Sequence, residues 1–179
     1  MKEPWEEYPH IFKTKSAFFT FLRGKLRQAL WNHWPGKIEF KKEMAFLPPE
    51  GYTGRAKKLG KCALTGEVDA ISKMQVDHII GNVSLRDWED VLPFILHLCA
   101  SKENMQLVAV EAHKIKSFAE KKGISFEQAV IEKEAIAICK AKQDVDWLKE
   151  RGIKPDKNGL KRRGQIIKAL MEEKENERC

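Results

Sequence analysis

A chain of 179 residues that is 42% hydrophobic and 33% charged has the apolar content for a packed core and the length for one domain, or one domain with a helical appendage; a disordered chain is excluded. No apolar run approaches the roughly 18 residues that cross a bilayer, and the acidic start, Met1-Lys2-Glu3-Pro4-Trp5-Glu6-Glu7, has no secretory apolar stretch, so the expectation is a cytoplasmic protein without a membrane partner. The formal net charge of +7 favours a polyanionic partner, because lysines and arginines that neutralise phosphates release condensed counterions.

Residues 1–14 are aromatic and polar without a period, as in an arm lying on a surface. Residues 15–34 predict a helix. Ala17, Phe18, Phe21, Leu22, Leu26, Ala29 and Leu30 recur at a 3.6-residue period, Trp31 and Trp34 follow near that face, and Pro35-Gly36 ends it. Its aromatic residues read as core rather than as a base-stacking platform. Ile38, Phe40, Met44 and Phe46 alternate weakly over 37–46, as a strand or a short helix. Pro48-Pro49-Glu50-Gly51 is a loop. Arg55, Lys57, Lys58 and Lys61 then form a basic stretch, either a solvated surface or a phosphate-contacting approach to the segment that follows.

Residues 62–80 predict a β-hairpin or ribbon, with a turn in Cys62-Ala63-Leu64-Thr65-Gly66-Glu67 and a strand from Met74 that ends at Gly81. Residues 84–100 predict a helix opened by Ser84-x-x-Asp87 and broken or restarted at Pro93. Lys102-Glu103-Asn104 is a loop, and 105–120 begin extended and run into a helix carrying His113 and Lys116. Ser125-x-x-Gln128 opens a helix to about residue 141, another near 143–151 stops at Gly152, and an amphipathic helix spans about 160–174. Lys157, Lys161, Arg162 and Arg163 lead into this last helix. They add a DNA-backbone contact, or they belong to a helix that packs; the apolar Ile166, Ile167, Leu170 and Met171 favour packing.

Cys62, Cys99, Cys139 and Cys179 show no CxxC spacing and are expected as free thiols. His10, His33 and His97 stand apart from acids at ligand spacing and read as structural or exposed. No Ser-His-Asp order, glycine-rich phosphate loop or dinucleotide fingerprint occurs.

The chemistry-bearing residues lie elsewhere. In Val76-Asp77-His78-Ile79-Ile80 an acid and a histidine sit side by side near a strand end. Adjacent strand residues point to opposite faces, so both serve one site only if the strand bends or ends there. Asn104 follows His78 by 26 residues, and His113 follows Asn104 by nine. A carboxylate with an imidazole suits a divalent cation with open water positions. A neutral imidazole with a pKa near ~6.5 takes a proton from water at neutral pH.

These segments resemble the HNH endonuclease family, through its pattern of "DHI", then "N-L-Q-x-L", then "H-x-x-K", over about Cys62 to Lys116. The stretch from Ser84-Leu85 through Leu98 looks like the insert of HNH proteins from tailed bacteriophages. The resemblance implies an α+β fold: a ββα-metal core with helical extensions, as an N-terminal helical region over 1–54, a nuclease core over 55–122 and a C-terminal helical appendage over 123–179. It implies Asp77 and His113 as metal ligands, His78 as the general base and Asn104 as the residue that steadies the loop and orients the base. The cofactor expected is one divalent ion, Mg²⁺ first, with Mn²⁺, Ni²⁺ or Zn²⁺ as alternatives. Lys114 and Lys116 flank the last histidine, as phosphate contacts or as solvent-facing lysines.

Many proteins of this branch hold a structural zinc with two CxxC pairs. Those positions fall on Cys62, Thr65, Ala109 and Ala112, and one thiolate cannot build a tetrahedral site. No structural zinc is expected, and packing around Leu64, Val108 and Ala112 takes its place. The expected function is metal-dependent hydrolysis of DNA, double-stranded most of all. Genome packaging with phage proteins, homing and attack on host DNA, in the cytoplasm of a bacterial host, all fit. The rivals are a non-catalytic DNA-binding or packaging accessory protein and a nuclease acting on RNA.

Overall fold

The structure is a computed structural model that describes residues 2–81 and 83–176. Cys179 therefore lies outside the described residues. The fold is α+β, helices with two small antiparallel sheets. No described helix is long and apolar enough to cross a membrane. Contacts divide the chain into two compact units, Met1–Ala112 and His113–Cys179.

The first unit begins with the short helix α1 (Pro4–Glu7) and the helix α2 (Lys15–Ala29). Thr14 caps α2, its Oγ1 accepting from the Ala17 N–H at 3.1 Å, which satisfies one of the orphan donors of a helix start. Phe18 and Phe19 of α2 join Leu85, Phe94 and Leu98 in an apolar core, with Trp5, Phe12, Leu22, Leu26, Leu30 and Trp31 packed around it. Phe21, expected on that face, is instead exposed and lies against Phe12, with centroids 5.4 Å apart. Helix α2 stops at Ala29, short of the expected end at Trp34, and a separate 3-10 turn covers Trp31–His33.

Residues of the weakly alternating stretch form α3 (Pro35–Glu43), a helix rather than a strand. Pro35 sits at its first position, where its fixed φ and missing N–H suit a helix start. Strand β1 (Leu59–Lys61) pairs with β2 (Val68–Ala70) as a hairpin whose turn includes Gly66 at φ +73°. Strand β3 (Met74–His78) does not extend this ribbon. It pairs antiparallel with β4 (Met105–Ala109), Met74 opposite Ala109 and His78 opposite Met105. Gly60 lets β1 lie close to β4, since a Cβ there would come within 2.6 Å of Leu107 Cδ2 and 2.9 Å of Ile71 Cδ1.

Between β3 and β4 the chain makes a 3-10 turn at Trp88–Asp90 and the helix α4 (Val91–Leu98). The capping box is Asp87 with Asp90, not Ser84 with Asp87. Pro93 lies in the first turn of α4, where no i−4 acceptor is lost, so the helix is not broken. Directly after β4 comes α5 (Val110–Lys122), giving strand, antiparallel strand and helix in order.

The second unit holds the rest of α5 and the helices α6 (Phe126–Lys140), α7 (Asp144–Glu150) and α8 (Gly159–Asn176). Ser125 and Gln128 form the expected capping box, with bonds of 3.1 and 3.0 Å. Gly123 and Gly152, at φ +67° and +70°, provide the left-handed residues that follow helix ends. Ile131, Ala135, Leu148, Ile166 and Leu170 form the core of this unit, with Ile167 and Met171 against it. The apolar face of α8 is thus buried by packing.

Candidate active site at the end of the β3–β4 pair

The alternation of β3 buries Met74, Val76 and His78 on one face and leaves Gln75 and Asp77 half-buried on the other. Asp77 stands opposite Gln106 in the ladder. The ladder stops at His78, and Asn104 closes it. The Ile79 N–H donates to the Asn104 carbonyl at 3.0 Å, and the Ile80 N–H to Asn104 Oδ1 at 2.9 Å. Asn104 Nδ2 returns a longer bond of 3.4 Å to the Ile80 carbonyl. One asparagine therefore fixes the backbone of the two residues after the Asp-His pair.

His78 is 7% exposed. Its ring lies between two others: Trp31 at 4.0 Å and 28°, and His97 at 4.0 Å and 25°. Its Nε2 is 2.9 Å from the His97 carbonyl oxygen. A carbonyl only accepts, so Nε2 carries the proton, and the lone pair of the neutral ring sits on Nδ1. Stacking fixes the plane of the imidazole and the hydrogen bond fixes its tautomer.

The end of α2 faces both residues of the pair. Trp31, just beyond it, stacks on His78, and Arg27, one turn earlier, feels the charge of Asp77. Partial burial and the neighbouring Arg23 pull the Arg27 guanidinium below the usual arginine range, while Asp77 opposes them. Arg27 also lies over the Phe94 ring at 5.8 Å.

Compared with family models, curated proteins and solved structures, the chain matches none.

His113 sits in the first turn of α5 and opens the second unit. Of the expected site residues, the fold thus brings Asp77, His78 and Asn104 to one end of β3–β4. Among the described residues no three or more His, Cys, Asp or Glu side chains gather as a metal cluster.

Of the basic residues, Arg55, Lys57 and Lys58 line a hollow of about 510 Å³ with Ala70, Ile71 and Ser72. Lys61 is exposed on β1, Lys114 is exposed on α5, and Lys116 pairs with Glu120 at 3.4 Å with its side chain only 13% exposed. Cys62 is buried, and its Sγ accepts from the Ala109 N–H at 3.3 Å across 47 residues of sequence. Burial pushes this thiol up, but hydrogen bonds from the Thr65 side chain and from the Ala109, Thr65 and Leu64 backbone outweigh it and hold it below the ordinary value. Cys62, Thr65 and Ala109 thus meet around one sulfur.

Trp31, His97 and Arg27 escaped sequence reasoning. Trp31 counted as core and His97 as isolated, because stacking on a residue 47 or 19 positions away leaves no periodic trace. The one available signal was the i, i+4 spacing of Arg27 and Trp31 within the helix expected over 15–34.

Proposed function

We propose that the protein is a divalent-metal-dependent HNH-type endonuclease that hydrolyses DNA phosphodiester bonds. The observation that carries this reading is the held state of His78, with its plane set by Trp31 and His97 and its Nε2 proton committed to a carbonyl. That leaves Nδ1 as the basic atom, which takes the proton from an attacking water. Asn104 keeps the strand exit rigid beside it. Asp77 offers the cation a hard carboxylate, and the sequence pattern supplies His113 as its second ligand. A bound divalent ion stabilises charge on the phosphate and the leaving oxygen.

The test is cleavage of supercoiled plasmid with Mg²⁺, Mn²⁺ and Ni²⁺ in turn. His78→Ala is expected to cut about 10³-fold more slowly, within the range of general-base losses, while DNA binding persists. Asp77→Asn is expected to lose metal-stimulated cutting without the cavity that His78→Ala leaves. A folded His78→Ala protein that cuts like the parent overturns the assignment. The near-complete burial of His78 favours one second reading, a non-catalytic DNA-binding or packaging protein in which the ring only packs. Binding without cutting in all three metals selects it, and competition between labelled DNA and RNA separates a nuclease acting on RNA.

A further inference from the structure

Helix α3 divides its charges. Glu39 and Glu43 pair with Lys102 on one face. Lys37 and Lys41 lie on another, spaced i and i+4, where like charges repel and destabilise a helix. Those two lysines, with Lys42 and Lys58, line a groove of about 420 Å³ that includes Asn32 and Ile71. Lys58 and Ile71 also line the neighbouring hollow of Arg55 and Lys57, so the two are continuous. Among the described residues no carboxylate lies within ion-pair distance of these six cations.

The groove is built into the fold. Lys41 Nζ donates to the Met74 carbonyl at 2.6 Å, at the start of β3. The Lys37 ammonium lies 4.6 Å over the Trp31 ring, whose stacking partner is His78. Burial, then the charge of Lys41, holds the Lys37 ammonium below the usual lysine range. Cations gathered without acids gain most from a polyanion with regularly spaced charges.

We propose that this lysine-lined groove, running from Lys37 and Lys41 of α3 past Lys58 to Arg55, binds the phosphodiester backbone of double-stranded DNA. The choice of DNA among polyanions rests on the nuclease reading. The groove seats the duplex against Trp31 and so beside the imidazole that Trp31 stacks on. The contacts are to phosphate, so they position the duplex without reading its sequence.

The experiment measures binding of the full chain to a fluorescent duplex of about 20 base pairs in EDTA, by anisotropy across a salt series. The triple variant Lys37→Gln, Lys42→Gln, Lys58→Gln leaves the Lys41 tether intact. It is compared with Lys121→Gln, Lys140→Gln, Lys154→Gln, which removes the same charge from the second unit. Circular dichroism first establishes that both fold. The groove variant is expected to bind at least tenfold more weakly, with the slope of log K against log salt reduced by about 1 per lost phosphate contact. The control is expected to stay within about threefold of the parent, a shift below 0.7 kcal/mol on the scale of roughly 1.4 kcal/mol per tenfold.

Equal weakening in both triples, or none in the groove triple, overturns the proposal, as does a parent that does not bind the duplex. So does a groove triple that loses only phosphatidylserine vesicles or duplex RNA. A parent that cuts, with a groove triple that binds and cuts equally well, defeats the groove and spares the nuclease. A groove triple that alone loses the duplex, in a parent that cuts with no metal, spares the groove and defeats the nuclease.

Discussion

Among the described residues, the buried polar side chains are His78 in the first unit and Asp144 in the second, and they are held for different reasons. Asp144 accepts from Arg162 Nε at 2.6 Å, and the same guanidinium donates to the Asp156 and Lys157 carbonyls at 3.0 Å each. That network ties the start of α7 to the start of α8 and satisfies its own members, so packing accounts for it. His78 is different. A phenyl ring would stack between Trp31 and His97 without needing an acceptor, so packing alone does not call for an imidazole there. Buried polarity that the fold explains marks a strut; buried polarity that the fold does not explain marks a place to look for chemistry.

The largest effect expected outside the site itself comes from the second unit's core. Leu148 is fully buried among Ile131, Ala135, Ile166 and Leu170. Leu148→Ala is expected to destabilise by about 3 kcal/mol, through lost transfer energy and the cavity left behind. If the two cores are separate cooperative units, hydrogen exchange should show α6, α7 and α8 amides losing protection while β3 and β4 amides keep theirs. Equal loss in β3 and β4 breaks the comparison.

A second prediction uses one substitution in both units. Gly60→Ala drives a Cβ to 2.6 Å from Leu107 and 2.9 Å from Ile71, both packed in the first unit, and is expected to cost about 2 kcal/mol. Gly164→Ala, inside α8 with nothing within 4 Å of its Cβ, is expected to stabilise by roughly 0.5–1 kcal/mol. Urea denaturation of each variant reads the sign. A stabilising Gly60→Ala would mean that β1 does not approach β4 as closely as Gly60 allows.

How much was legible in the sequence divides along similar lines. Local signals carried well: Ser125-x-x-Gln128 opens a helix, the stretch after Asn104 runs from strand into helix, and Asp77-His78 ends a strand. Pairing did not carry. Nothing local says that Met74–His78 prefers Met105–Ala109 over the hairpin next to it, because both partners offer alternating apolar residues and the choice rests on Met74, Val76, Met105 and Leu107 sharing a buried face. In α3 the weak alternation of Ile38 and Phe40 left strand and short helix open, and Pro35 at the first position with the run of lysine and glutamate decides for the helix. The clasp of Asn104 on Ile80 and the stack on His78 are tertiary contacts, and a single sequence shows the residues without the encounter.

A pH dependence separates the two buried polar groups. The hydrogen bond from Arg162 holds the Asp144 carboxyl below its usual range, outweighing the cost of burial. A carboxyl whose folded pKa is depressed adds stability that is complete above the unfolded value of about 3.9 and is lost as pH falls through the lower folded value. Asp144→Asn removes the charge and keeps the shape, so it is expected to cost about 1.5 kcal/mol at neutral pH, the scale of a hydrogen bond to a charged group. The gap between parent and variant should narrow from about pH 5 downward, because a protonated Asp144 resembles the asparagine. Urea midpoints for α-helical signal across that range check it. A gap that stays constant to about pH 3 would mean the carboxylate is not stabilised by Arg162, and the second unit would then hold a buried charge as unexplained by its fold as His78 is by the first.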